Sequence, residues 1–255
     1  MKTIATIEAR MTSSRLPGKV LMEYCGKTNL EHIIERLRRS RSLDDIVVAT
    51  TVNKTDNPIV ELCEKIGCKY YRGSEDDVLL RVLEAAQSVQ GDLIVEITGD
   101  CPMIDYRHID YLIDLYNKND VDYVSNILER TFPRGFDTQV FSTQTLLDVS
   151  KKTTNKADRE HVSLYIYAGE TPYKLLNWEA PKEIRHPEFE VTLDTKEDYL
   201  LLNRIYDELY CKNNDFAAID VVNLLLNNKE LNKMAQAKYR KNGFEERAKF
   251  KNENI

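Results

Sequence analysis

The chain has 255 residues and a mass of 29.6 kDa, enough for one large core or a core with an appendage. Apolar residues make up 42% and charged residues 31%, as in soluble globular proteins, and no apolar run nears the roughly 20 residues that cross a bilayer, which excludes a helical membrane anchor. The net charge of −6 argues against a general nucleic-acid binder, but it is uneven: residues 1–41 hold nine Lys/Arg and four Asp/Glu, which suits a small polyanionic ligand at that end.

In chain order, residues 3–7 read as a buried strand. Glu8 and Arg10 come too early for a secretory leader, so the cytoplasm is the expected location. Thr28 and Glu31 form a capping box before Leu30, Ile33, Ile34 and Leu37, which share one helical face. Residues 45–51 (DIVVATT) are a β-branched strand. Pro58 opens a helix that Gly67 stops, and residues 69–72 make a short strand. Ser74 is the expected cap of a helix running to about residue 90. Residues 92–98 (DLIVEIT) are the next strong strand, and Asp105 caps the helix after it. A further strand is expected over 121–127.

This alternation predicts an α/β fold with a doubly wound, mostly parallel sheet. From 128 to 190 the pattern loosens, punctuated by Pro133, Gly135, Pro172, Pro181 and Pro187 around one helix over 156–168, and reads as a small inserted flap that binds the acceptor or a second subunit. A strand over 189–194, a helix capped by Thr195, and another over 215–228 complete a domain of residues 1–228. Residues 229–255 are a charged helical tail, expected on the surface. The five cysteines are scattered without a CxxC pair and are expected as reduced thiols.

Sheets of this kind bind ligands outside the carboxyl ends of their strands. Three polar clusters fall there: residues 8–19, 50–57 and 99–105. The first, EARMTSSRLPGK, carries Arg10, Arg15 and Lys19 with Ser13 and Ser14 but a single glycine. It is neither GxxxxGK[ST] nor GxGxxG, so side-chain charge must do what backbone amides do in those motifs. A nucleoside triphosphate, bearing about four negative charges partly offset by a divalent metal, matches three such cations. A solvated surface loop is the competing account of the same residues.

RMTSSRLPGKVL resembles the first motif of the nucleotide-sugar cytidylyltransferases, which activate ketodeoxyoctonate and, more distantly, sialic acid. It most resembles the spore-coat polysaccharide biosynthesis group, over residues 3–210 and most strongly over the first 105. The resemblance implies a Rossmann-like nucleotidyltransferase fold, a homodimer, and CMP transfer from CTP to an acidic sugar or a phosphorylated or phosphonate acceptor. It implies nucleotide contacts from Ala9, Arg10, Ser13, Ser14, Arg15 and Lys19. Thr50 and Thr51, which end the second strand, are expected at the base or ribose. GDCP (99–102) and LDTKED (193–198) are similar to the family's GDxP and DTxED elements, which imply Asp100 and Asp194 as the ligands of Mg2+. Asp120-Val121-Asp122 precedes a strand and reads as a loop.

Acceptor contacts are expected from the middle region. RGFDTQVF (134–141) resembles a PxGxDxEVF element, with Gln139 where that element carries glutamate, and nominates Arg134, Asp137 and Gln139. Arg159, Glu160 and His161, together with Arg81, complete the expected acceptor side. Two other accounts remain at this point. One is a glycosyltransferase using a preformed nucleotide-sugar, against which the RLPGK loop argues. The other is a catalytically silent nucleotide-binding protein, against which the retained cations and aspartates argue.

Overall fold

The strands form where apolar and β-branched residues cluster: β1 (Thr3–Glu8), a small hairpin of β2 (Glu23–Tyr24) and β3 (Lys27–Thr28), then β4 (Asp45–Thr51), β5 (Lys69–Gly73), β6 (Leu93–Thr98), β7 (Tyr123–Ser125), β8 (Gln139–Ser142) and β9 (Leu175–Asn177). The computed structural model describes residues 1–169, 171–236 and 247. Apart from the hairpin, the strands make one sheet of seven, ordered β5-β4-β1-β6-β8-β7-β9. β5, β4, β1 and β6 are mutually parallel, and β8 is antiparallel to both β6 and β7.

Helices cover both faces. α1 (Asn29–Leu37), α2 (Asn57–Ile66) and α4 (Tyr106–Lys118) bury Leu30, Ile33, Leu62, Ile109 and Leu112 against Ile7, Val48, Val95 and Ile97. On the opposite face α3 (Val78–Ser88) and α5 (Thr143–Lys152) pack Val82, Leu83, Leu146 and Val149 onto Ile4, Val47, Ile94 and Phe141. Burial on both faces is why these strands read as apolar runs rather than as alternation.

The expected caps at Thr28, Asp105 and Thr195 are all present. Thr28 and Glu31 satisfy each other's backbone amides, Asp105 accepts from the Arg107 amide at 3.0 Å, and Thr195 forms a capping box with Asp198 ahead of α8 (Lys196–Leu209). The cap of α3 is Asp77, which accepts from the Leu80 amide at 2.9 Å, and not Ser74. Ser74 instead accepts from the Asp77 amide at 3.1 Å and so shapes the turn before the helix.

Further expectations differ from the fold. Residues 128–190, expected as a flap, supply β8 and β9 to the central sheet itself, with β8 inserted between β6 and β7. The helix expected over 156–168 is two pieces, α6 (Lys156–Glu160) and α7 (Leu164–Tyr167). Between them Val162 adopts φ 47°, a conformation that β-branched residues rarely occupy. It is held there with its side chain fully buried against the α3 and α5 layer.

The segment 189–194 is not a ladder strand. Phe189 and Glu190 make only isolated bridges, to Gln236 and Arg134. Its alternation is satisfied elsewhere: Phe189, Val191 and Leu193 bury into a separate core with α8, α9 (Ala218–Asn227) and α10 (Lys229–Ala235). Leu231 and Ala235 are fully buried in that core, so the tail begins as a packed element rather than a surface one. Its continuation over 237–246 and 248–255 lies outside the described residues. All five cysteines are free thiols. Asp120 and Asp122 lie before β7 and are engaged by Lys174, as suits a loop. No helix among the described residues is long and apolar enough to cross a membrane.

Candidate active site

A cleft of about 300 Å3 opens at the carboxyl ends of β1 and β6, and the β1–α1 loop forms one wall. Glycine governs the turn after β6. A Cβ on Gly99 would sit 2.5 Å from the Glu8 carbonyl oxygen, so only glycine lets the two strand ends come this close. The Gly99 amide donates to that carbonyl at 2.9 Å, and the buried Asn29 side chain donates to the Gly99 carbonyl at 2.7 Å. Asp100 is thereby presented at the cleft floor.

Asp194 arrives from nearly a hundred residues later. The Leu193 amide donates to the Asp100 carbonyl at 2.8 Å, which sets the two aspartates side by side. Lys19 Nζ lies between their carboxylates, 3.0 Å from Asp100 Oδ2 and 2.8 Å from Asp194 Oδ1. Arg15 reaches Asp194 Oδ1 at 2.9 Å with a side chain 54% exposed, free to swing toward an incoming anion. Burial works against the Asp100 carboxylate, but the Lys19 ammonium and the Thr98 hydroxyl (2.6 Å) outweigh it and hold the carboxyl below its usual range.

The two aspartates thus converge on a point already occupied by positive charge. Their hard oxygen donors suit a small divalent cation such as Mg2+. No cluster of three or more His, Cys, Asp or Glu suited to a metal occurs among the described residues. A cation held by Asp100 and Asp194 would therefore take its remaining ligands from substrate phosphate and water, as Mg2+ commonly does.

The cleft brings together most of the residues expected there: Ala9, Arg10, Ser13, Ser14, Arg15, Lys19, Arg81, Asp100, Glu160, His161 and Asp194. Arg81 is buried and points its guanidinium at backbone carbonyls, including those of Ala49 (3.2 Å) and Glu75 (3.3 Å). Glu160 ends α6 and His161 follows as its cap, and both line the cleft with the cationic loop. Arg10 pairs with Glu75 at 3.3 Å at the rim.

Six expected residues do not line the cleft. Thr50 and Thr51 are fully buried. Thr51 instead donates to Asp56, which also accepts from the Met11 amide at 2.8 Å, so this threonine braces the loop from behind. Arg134 pairs with Glu190 at 3.2 Å, and Asp137 takes both arms of Arg130, at 2.6 and 2.9 Å. Arg159 spans Thr153, Ser150 and Asp77. Gln139 is buried in the sheet, accepting from the Tyr123 and Ser163 hydroxyls at 2.6 Å each.

Two polar lining residues were not anticipated, Glu8 and Thr98. Burial pushes the Glu8 carboxyl up to about 7, against the pull of the Arg81 guanidinium. The signal was visible as polar residues at alternate positions of two otherwise apolar strands, TIATIE and LIVEIT.

Comparison with known proteins agrees with this geometry. A family model described as cytidylyltransferase matches residues 4–245. The chain is 39% identical over 221 residues to an uncharacterized protein of Methanocaldococcus jannaschii, which covers 87% of this chain and 88% of that protein. It is 34% identical over 227 residues to the spore coat polysaccharide biosynthesis protein SpsF of Bacillus subtilis, covering 87% and 93% respectively. Among solved structures, a cytidylyltransferase from Leptospira borgpetersenii serovar Hardjo-bovis matches with a TM-score of 0.85 and 31% identity, over 95% of this chain and 100% of that one.

Proposed function

The chain belongs to the cytidylyltransferase family and is a nucleotidyltransferase, and from that premise we propose that it transfers CMP from CTP to an acidic sugar or a phosphorylated or phosphonate acceptor. The product would serve surface-polysaccharide synthesis, in keeping with the likeness to the spore coat protein SpsF. The observation that carries the proposal is the meeting of Arg15 and Lys19 with Asp100 and Asp194 in one cleft at the strand ends.

In this reading an acceptor oxygen attacks the α-phosphorus, and the bond from that phosphorus to pyrophosphate breaks. The work of the protein is positioning and charge neutralisation. Arg10, Arg15 and Lys19 bind the triphosphate, Ser13 and Ser14 donate to its oxygens, and the Ala9 backbone abuts the nucleotide. Asp100 and Asp194 would hold Mg2+, which when bound offsets phosphate charge. Lys19 would turn from the carboxylates toward phosphate when the cation enters. Glu160 and His161 face the acceptor.

The test is a pyrophosphate-release screen with Mg2+ and each of the four ribonucleoside triphosphates, against acidic sugars, sugar phosphates, polyol phosphates and phosphonates. CTP is expected to be the productive nucleotide, and Asp100→Ala is expected to lower the rate at least ~100-fold while the protein stays folded. Wild-type protein that binds no triphosphate in the presence of Mg2+ would end this reading.

A further inference from the structure

One register level crosses the middle of the sheet as Thr6, Glu96, Gln139 and Ser125, on β1, β6, β8 and β7. All four are buried, on the face otherwise filled by Ile4, Ile94 and Phe141. Glu8 and Thr98 stand one step further along the same face and open into the cleft. A polar file through a doubly covered sheet costs desolvation that apolar residues would avoid. It joins the cleft to the interior, and nothing in the nucleotide-binding reading uses it.

Glu8 Oε1 and Glu96 Oε2 are both buried, and among the described residues no hydrogen-bond donor reaches either. The two carboxyls meet each other, and Glu96 also reaches Gln139 and Ser163. Two acceptor-only carboxylates cannot hydrogen-bond, so the contact holds only while a proton stays on the pair. We propose that Glu8 is the general base of the transfer reaction, with Glu96 as its positioning residue, and that the acceptor's nucleophile is a hydroxyl. This rests on the cytidylyl-transfer reading above.

The step balances simply. The acceptor O–H bond breaks and its proton passes to the Glu8 carboxylate. The freed oxygen bonds to the α-phosphorus, and pyrophosphate leaves with the electron pair of the broken P–O bond. The proton then passes from Glu8 to solvent through the open cleft. An ionised phosphate nucleophile would need no such base.

The groups around Glu8 favour the role. Burial, the largest influence, and Asp100 keep its proton affinity high, while Arg81 on α3 and the hydrogen bond with Glu96 stabilise its ionised form; Arg10, Arg15 and Lys19 line the same cleft. Glu160 and His161 also line this cleft. Burial and the neighbouring Glu8 keep Glu96 protonated well above the ordinary carboxyl range, so it serves as the donor. A base that titrates near 7 is matched to catalysis at neutral pH.

Two measurements test this. In the first, glutamate labelled with 13C at the carboxyl is followed by NMR on the whole protein without substrate, with Glu8→Gln supplying the assignment. A Glu8 midpoint near 7 is expected; a midpoint in the ordinary range near 4.5 overturns the proposal. In the second, pyrophosphate release is followed from pH 5.5 to 9 alongside calorimetric CTP binding. Glu8→Gln is expected to bind CTP within about threefold of wild type, release pyrophosphate at least ~100-fold more slowly, and lose the acid limb of the profile.

Glu96→Leu removes the donor and should move the limb upward, whereas Glu96→Gln, which keeps a donor, should move it less. Glu8→Gln turning over within threefold of wild type with the same limb overturns the proposal. So does a wild type that uses only acceptors lacking a free hydroxyl. Absence of CTP binding by wild-type protein would instead remove the reading on which the proposal rests.

Discussion

A buried carboxyl that keeps its proton makes stability depend on pH in a direction opposite to that of a salt-bridged one. Glu8 rises from 4.5 to about 7 in the folded chain, chiefly through burial. Its proton therefore favours the fold fully below pH 4.5, and that contribution is lost as pH rises through 7, an effect on the order of 3 kcal/mol. Glu8→Gln is uncharged at every pH. It should therefore melt several degrees above wild type at pH 8 and close to it at pH 4, as followed by circular dichroism. Equal shifts at both pH values would contradict the buried-carboxyl account. The same residue marks a limit of sequence reading. Arg15, Lys19 and Asp100 announce themselves by type and motif, whereas Glu8 and Glu96 show only as polar positions alternating within apolar strands. Only the register, with Thr6 beside Glu96 and Glu8 beside Thr98, shows that they share one face.

Elements with local signals were legible: the capping boxes at Thr28 and Thr195, the Pro58 start and Gly67 stop of α2, and the strands flanking the cleft. What was not legible depends on distant partners. The apolar alternation of Phe189, Val191 and Leu193 looks like a strand, yet it is spent on the helical core beneath α8 and α9. The helical pattern over 156–168 is interrupted at Val162 because burying that side chain outweighs its backbone cost. Thr50 and Thr51 lie at a strand end, where ligand contacts are common, but their side chains face inward. The function of Thr51 is carried by Asp56, which ties β4 to the Met11 amide of the β1–α1 loop. Asp56→Ala should therefore leave three donors unmet, the Met11 and Thr51 amides and the Thr51 hydroxyl, cost about 1–3 kcal/mol of stability and weaken CTP binding by roughly tenfold. An unchanged Kd in calorimetry would show that the loop holds its shape without this brace.

At the scale of the whole molecule, the site draws on residues 8–19, 98–100, 160–161 and 194, which only the folded sheet brings together. The positive N-terminal end meets the acidic remainder here: loop cations Arg15 and Lys19 neutralise Asp194 and Asp100. The helices α8, α9 and α10 add no side chain to the cleft, but their core takes in Leu16 from the loop, Met103 from beyond the Asp100 turn and Leu193 beside Asp194. That core therefore clamps all three charged segments at once. The buried Tyr206 hydroxyl, donating to the Pro102 carbonyl at 2.8 Å, adds a polar tie at the same junction. Leu16→Ala and Leu37→Ala both create cavities, the first in this clamp and the second under α1, and each should cost about 2–4 kcal/mol. Their effects on ligand should part. Leu16→Ala is expected to raise the Kd for CTP with Mg2+ at least fivefold, because the loop loses its anchor. Leu37→Ala should leave the Kd within twofold of wild type once folding is saturated at low temperature. If the two variants weakened binding equally, the helical core would be a source of stability alone and not what holds the β1–α1 loop in place.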